Sequence, residues 1–407
     1  MSDALTLQQR FARLDGSLLR NRQFWQLRSF ESLQLPWQHS ALQRWLLDLS
    51  ANDRSGLLHG DQLRAEALVP FIPDAVDLLA LCQLPSTGVT AVATAPTTPP
   101  AAPPAWLHQH IPGRKWAQIQ AFDRALIAPV ALPFVEWCAG KGHLGRLLAY
   151  RHRQPVASLE LQRDLCLQGQ QLADKQDLPC RHHQLDVMST DVDALLPPQC
   201  HAVALHACGD LHIRLLQQVV VAGVEAISLC PCCYHLQQHS NYQPLSEVAA
   251  ASGLRLSRAD LSLAVQQTVT AGSRGRRLRQ RQLHWRLAFD LLQRQLRGVD
   301  SYLNCPTIPQ SRLTGSFAEF CQWMAGIKEL HIPTGVDFDD FEHRGRLRLA
   351  QLECIEIIQQ LFRRPLELWL VLDRALYLQQ HGYTVTVTAF CESQLTPRNL
   401  LITGRRL

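Results

Sequence analysis

Apolar positions recur at helical spacing through residues 1–85, as in Leu7, Phe11, Leu14 and Leu18, and again in Leu42, Trp45, Leu46 and Leu49. This predicts a helical N-terminal region. Residues 86–105 then turn to Pro, Thr and Ala and read as a linker and domain boundary. From residue 106 the pattern changes. Short apolar runs end in polar or glycine-rich turns: 132–137, 156–160, 180–187, 201–205 and 224–229. Helical stretches separate them, which argues for a parallel sheet with helices on both faces. Residues 241–365 break this alternation and read as a mostly helical insertion. It resumes with a helix over 366–380, a plausible C-cap at Gly382, and a period-two strand over 383–390. A last strand over 399–403 follows a short connection without a helix, so these two strands should be antiparallel. The expected fold is α/β. A Rossmann-like sheet built from 106–240 and 366–407 closes with a C-terminal antiparallel hairpin.

The first strand runs into Gly140-Lys141-Gly142-His143-Leu144-Gly145, a G-x-G-x-x-G turn that opens a helix. The first two glycines let backbone approach a ligand, and the third lets helix and strand pack closely. A dinucleotide and S-adenosylmethionine compete for such a turn. The second carries an ammonium, a sulfonium and a ribose, and so favours carboxylates. Glu136 sits inside the first strand, where burial costs roughly several kcal/mol without a donor or cationic partner. The cofactor ammonium would be such a partner. Glu160 ends the second apolar run and suits the ribose hydroxyls of either cofactor. Asp186 follows the third, where an adenine amino group could be held. Glu136 therefore tips the balance toward S-adenosylmethionine over NAD, and Cys138, at the end of the first strand, is a further cofactor-binding candidate. A closing antiparallel hairpin points the same way, to class I methyltransferases rather than dehydrogenases.

Ligands of open parallel sheets bind at the carboxyl ends of the strands. The fourth strand leads into His206-Ala207-Cys208-Gly209-Asp210, and the fifth into Cys230-Pro231-Cys232-Cys233-Tyr234-His235. Methyl transfer needs alignment and removal of a proton, for which His206 and His235 are candidate bases, with Asp210 orienting one of them or holding substrate. His206, at the end of the fourth strand next to the expected methyl position, is also a candidate to border the cofactor. The Asn/Asp-Pro-Pro-aromatic tetrad of amino methyltransferases is absent after the fourth strand. A cysteine nucleophile among Cys208, Cys232 and Cys233 competes with cysteine as a small packing residue. Cys230 and Cys233 have C-x-x-C spacing, but no second C-x-x-C or H-x-x-x-H pair completes a common zinc pattern. No metal is therefore expected.

Composition narrows the rest. The 407 residues are 46% hydrophobic and 18% charged, as in globular proteins, and allow two or three domains. The net charge of +5 permits a polyanionic partner without demanding one. Thirteen cysteines, mostly at irregular spacing, read as reduced thiols rather than a disulfide scaffold. No N-terminal h-region and no bilayer-length apolar run is present, so a cytoplasmic location and no membrane partner are expected. The densest basic stretch, 274–286, carries Arg276, Arg277 and Arg279 together with Trp285. Arginine with an aromatic suits phosphate contact and base stacking; the plainer reading is a solvated helix face. Arg114 and Lys115 form a second basic pair.

Several motifs together resemble one family. They are Cys138-Ala139-Gly140-Lys141-Gly142-His143-Leu144, Leu205-His206-Ala207-Cys208-Gly209-Asp210, Cys232-Cys233-Tyr234-His235, Tyr377-Leu378 with Gly382-Tyr383, and Thr396-Pro397-Arg398-Asn399. The family includes methyltransferase-like proteins of the twenty-five group, tRNA 2′-O-methyltransferases acting at position four of the acceptor stem, and bacterial relatives of unassigned substrate. The resemblance covers 113–240 and 366–405. It implies a class I S-adenosylmethionine-dependent methyltransferase and leaves the substrate open. RNA (tRNA or rRNA) is the first expectation and a protein side chain the second. The third is a non-catalytic interaction module that keeps the fold.

Overall fold

The structure is a computed structural model that describes residues 5–37, 40–85, 102–126, 131–189, 191–266 and 273–407, without the side chains of Ser273 and Arg276. Most of the Pro-rich linker, 86–101, lies outside the described residues. The chain divides into two units. The larger takes residues 1–20, 80–266 and 363–407, and the smaller takes 21–79 and 267–362.

The larger unit is built on seven strands: β1 Phe134–Trp137, β2 Val156–Glu160, β3 Cys180–Gln184, β4 His201–Cys208, β5 Ala226–Cys232, β6 Tyr383–Ala389 and β7 Leu400–Arg406. Their order is β3-β2-β1-β4-β5-β7-β6. Strands β1 to β5 are parallel, and β7 runs antiparallel to both β5 and β6. The order reverses direction between β1 and β4, and that switch point is where ligands of such sheets bind. Every residue of β1 is buried, as a central strand covered on both faces requires. The edge strand β6 instead buries Tyr383, Val385 and Val387 and exposes Thr384 and Thr386, matching its period-two sequence.

Helices Gly113–Arg124, His143–His152, Arg163–Lys175 and Asp210–Ala222 alternate with these strands. One core packs Phe122, Leu147, Leu148 and Phe134 against Val203, Leu401 and Phe390. The first helix, Leu7–Arg20, belongs to this unit: the Phe11 ring lies 5.1 Å from Trp369, and Asp15 accepts from Trp369 Nε1 at 2.9 Å.

The smaller unit is helical. Trp285, Phe289, Phe320 and Met324 share its core, and Asp290 pairs with Arg348 at 2.6 Å and Arg294 at 3.0 Å. A buried carboxylate held by two guanidinium groups is compensated rather than isolated.

Strand lengths differ from the sequence expectation where it matters most. β3 ends at Gln184, so Asp186 sits just beyond it. β4 and β5 run on to Cys208 and Cys232, pairing Ala207 with Pro231 and Cys208 with Cys232 after a bulge between Leu205 and Ala207. Cysteines assigned by sequence to turns are thus cross-strand neighbours.

Candidate active site

The glycine turn is held by the strand beside it. Gly140 (φ +59°) and Gly142 (φ +61°) take left-handed backbone, which glycine adopts at little cost. Ala139 N–H donates to Leu159 O at 2.9 Å, and Gly140 N–H donates to Glu160 Oε2 at 2.9 Å. Glu160 Oε1 accepts from Gln162 N–H, so this carboxylate organises both loops around it. A Cβ placed on Gly140 would meet nothing within 4 Å, which leaves open space over the turn. On Gly142 it would meet His182 Nε2 at 2.5 Å, and on Gly145 it would meet Glu136 Oε2 at 2.5 Å. Gly142 and Gly145 are therefore required by packing inside the protein, and Gly140 by conformation alone.

Glu136 is buried, and its Oε2 accepts from Gly145 N–H at 3.1 Å and Ser158 Oγ at 2.9 Å. The protein itself supplies the donors that the sequence alone assigns to a cofactor ammonium. Burial still pushes its carboxyl up to about 7, against these hydrogen bonds and the charges of Arg146 and Lys115. Asp186 stands half-buried beyond β3, accepting from Met188 N–H at 2.9 Å. Cys138, at φ +57°, has a thiol pushed up to about 12 by burial, with the charges of Glu160, Cys208 and Asp186 adding to the effect. Turn, carboxylates and the fourth-strand thiol therefore share one neighbourhood.

The fourth-strand residues separate into distinct roles. His206, at φ +64° on the bulge, places Nε2 3.0 Å from Gln118 Oε1 and Nδ1 3.9 Å from Cys230 Sγ. Burial, with Arg398 and Lys115 adding positive charge, lowers its pKa to about 4, so it is neutral at pH 7 and a weak base. Asp210 does not orient it; its Oδ2 accepts from Gln238 N–H at 2.7 Å. His235 is half-buried, and its Nδ1 is buried without a hydrogen-bond partner. Cys208 Sγ lies 3.3 Å from Cys232 Sγ. Hydrogen bonds from Cys208 and Cys232 draw the Cys233 thiol pKa down, while Cys232, bonded to both others, is pushed up.

A cleft of about 290 Å³ opens beside these strand ends, lined by Asp210, Arg214, Tyr234, Tyr242 and Arg374 among others. Sequence reasoning missed its buried wall. Arg374 donates to His212 Nε2 at 2.8 Å and Tyr242 Oη at 2.9 Å, and lies over the Tyr234 ring at 5.1 Å. Asp373 accepts from Tyr242 Oη and from Leu245 and Ser246 N–H. The charged Asp373-Arg374 pair inside an apolar helix was the available signal.

In the smaller unit, the basic stretch lies on helix Ser273–Arg297. Arg274, Arg277 and Arg279 are exposed; the Arg276 side chain lies outside the described residues. Trp285 is not offered for base stacking. It is buried in the core with Nε1 donating to Glu342 Oε1 at 3.1 Å, and Arg281 and Arg286 donate to the carbonyls of Leu313 and Pro306.

Residues 115–240 match the model of a family described as methyltransferase domain. The larger unit is a class I methyltransferase fold. Among solved structures, similarity is found to a TehB-like SAM-dependent methyltransferase from Corynebacterium glutamicum, at 17% identity over 28% of this chain and 61% of that one, with a TM-score of 0.22. The glycopeptide N-methyltransferase MtfA, complexed with S-adenosylmethionine, is 19% identical over 34% of this chain and 63% of that one, with a TM-score of 0.24. Coclaurine N-methyltransferase, bound to N-methylheliamine and SAH, is 9% identical over 88% and 90%, with a TM-score of 0.25. The chain spans less than two thirds of the first two of these proteins. The comparison with curated proteins gave no match. Among the described residues, no helix is long and apolar enough to cross a membrane.

Proposed function

We propose that this protein is an S-adenosylmethionine-dependent methyltransferase that acts on RNA. The observation that carries the cofactor reading is the open glycine turn at the β1 end, flanked by Glu160 and, beyond β3, Asp186. Carboxylates at those positions suit ribose hydroxyls and an adenine amino group, and the closing antiparallel β6–β7 hairpin favours S-adenosylmethionine over NAD. Cys138, Gly140 and Gly142 border the same space. When bound, S-adenosylmethionine supplies a methyl group on a sulfonium. The chain's own residues then align the nucleophile and receive its proton.

Neutral His206, whose Nε2–H faces Gln118 Oε1 and whose Nδ1 faces Cys230 Sγ, serves as a positioning group at the substrate edge rather than as a base. Asp210, at the start of its helix, holds the nucleophile or accepts its proton, and His235 stands on the same rim. Cationic Lys115 and Arg398, whose charges bear on His206, favour a polyanionic substrate at this edge. Arg276, Arg277 and Arg279, in the smaller unit, are further basic groups that RNA could contact.

Incubation with methyl-labelled cofactor and an extract from cells lacking the protein tests the substrate. Nuclease-sensitive label is expected. Protease-sensitive label would move the reading to a protein substrate. Cofactor binding without label in either fraction would favour a non-catalytic module.

A further inference from the structure

The end of β4 and the end of β5 bring three sulfurs together that no functional role above requires. Cys208, Cys232 and Cys233 each offer a sulfur, and these atoms all lie within 4.8 Å of one another. We propose that these three cysteines form a thiolate site for a zinc-class divalent cation, with His235 available for the fourth position. The site adjoins the rim described above but does not depend on the methyltransferase reading.

Four observations carry it. The register pairs Cys208 directly with Cys232 on adjacent parallel strands, and their sulfurs are 3.3 Å apart. Thiolates around a tetrahedral zinc, each about 2.3 Å from the ion, lie about 3.8 Å from one another, and the cluster brackets this spacing. Strained backbone then brings in the third sulfur. Cys233 sits at φ +48°, and Gly209, next to Cys208, takes φ +53° and ψ −129°. A Cβ on Gly209 would fall 1.7 Å from Leu236 O, so the Cys233–Leu236 turn closes tightly over the fourth strand. Strain of this kind persists where surrounding structure enforces it, and it gathers at functional sites.

The remaining two observations concern the surroundings. The His235 ring is not among the atoms within 4.8 Å, but its Nδ1 is buried and unpartnered, two residues along the chain from Cys233. A buried nitrogen without a partner is costly in a finished site and fits one built to take an ion. Arg398 bears on both Cys208 and Cys233. Zinc with three thiolates carries one net negative charge, which this guanidinium offsets. Sulfur donors select zinc over magnesium or calcium.

The geometry differs from the pairing that spacing alone suggests. Cys230, three residues before Cys233, lies outside the cluster, with its Sγ 3.1 Å from Arg398 O. That difference makes the proposal testable. Full-length protein purified without chelators is expected to carry one equivalent of zinc by plasma emission spectrometry. After chelator treatment, cobalt(II) should restore a thiolate-to-cobalt charge-transfer band. Cys208→Ser, Cys232→Ser and Cys233→Ser should each weaken zinc binding by more than ~100-fold, beyond the loss of an outer-shell partner. Cys230→Ser should keep it. Zinc should also protect three thiols from alkylation in the unmodified protein, a readout that needs no variant to fold. Absence of bound metal and of cobalt thiolate absorption would overturn the proposal, as would equal loss in Cys230→Ser. Calorimetry with S-adenosylmethionine on the same samples reports separately on the methyltransferase reading.

Discussion

Glu160 Oε2 accepts a 2.9 Å hydrogen bond from Gly140 N–H, so the second strand holds the glycine turn that follows the first. The same carboxylate accepts from Gln162 N–H through its other oxygen. On the proposed reading, removing it takes away a ribose acceptor and loosens the turn at once. Glu160→Ala is expected to weaken S-adenosylmethionine binding by about 10- to 100-fold, the worth of roughly 1.5–3 kcal/mol for hydrogen bonds to a charged group. Calorimetry on a variant with unchanged circular dichroism checks this; an affinity within twofold of the parent would contradict it.

The two turn glycines separate cofactor access from packing. Gly140→Ala places its methyl in open space, so its stability cost is the left-handed backbone alone, about 1–2 kcal/mol. Gly142→Ala adds a collision with His182. We expect Gly142→Ala to lower the melting temperature more, and Gly140→Ala to lose cofactor affinity out of proportion to its stability loss. Thermal unfolding paired with calorimetry measures both. Equal stability losses would remove the packing role given to Gly142.

The strand–turn–helix core was legible because its signals are local. A β1 that is apolar but for Glu136, a glycine turn and a period-two β6 each follow from neighbouring residues. The antiparallel β6–β7 pair followed from the short connection between them. The partners of buried polar groups were not legible, because they are set by register between strands and by how helices pack on the sheet. Glu136 finds Gly145 and Ser158, Cys208 finds Cys232 rather than following the C-x-x-C spacing, and His206 finds Gln118 rather than Asp210. Trp285 shows the same limit: an arginine-rich neighbourhood suggested a stacking surface, whereas helix packing places its ring in a core.

Asp210→Ala is expected to lower single-turnover rates by about 10²–10⁴-fold, the worth of a general base, and His206→Ala to lower them by less, both while changing cofactor affinity far less. Because the His206 pKa is near 4, the parent's kcat/KM should show no ionisation of this residue between pH 5.5 and 8. A limb near pH 6.5 that disappears in His206→Ala would contradict the neutral assignment.

Glu136 gives stability a distinct pH dependence. Its folded pKa, about 7, exceeds the ordinary 4.5, so the folded state favours the protonated carboxyl. Its contribution is fully present below pH 4.5 and is lost as pH rises through 7, a difference of about 3 kcal/mol. Glu136→Gln removes this dependence. The stability difference between variant and parent in urea should therefore shift in the variant's favour from pH 5 to pH 8. A constant difference across that range would show that Glu136 ionises as freely in the folded state as in the unfolded one.

Replacing Arg276, Arg277 and Arg279 together by Ala should weaken RNA binding. It should also reduce the salt slope by about 0.7–0.9 for each phosphate these arginines neutralise. Filter binding over a salt series reads both, and an unchanged slope would mark the stretch as solvated surface.

The central claim is that the open turn at the β1 end takes S-adenosylmethionine. Isothermal calorimetry of the full chain against S-adenosylmethionine and against NAD tests it most directly. Saturable one-to-one binding of S-adenosylmethionine, lost in Glu160→Ala, with no heat from NAD, is the expected result. Binding of NAD with none of S-adenosylmethionine would contradict the account.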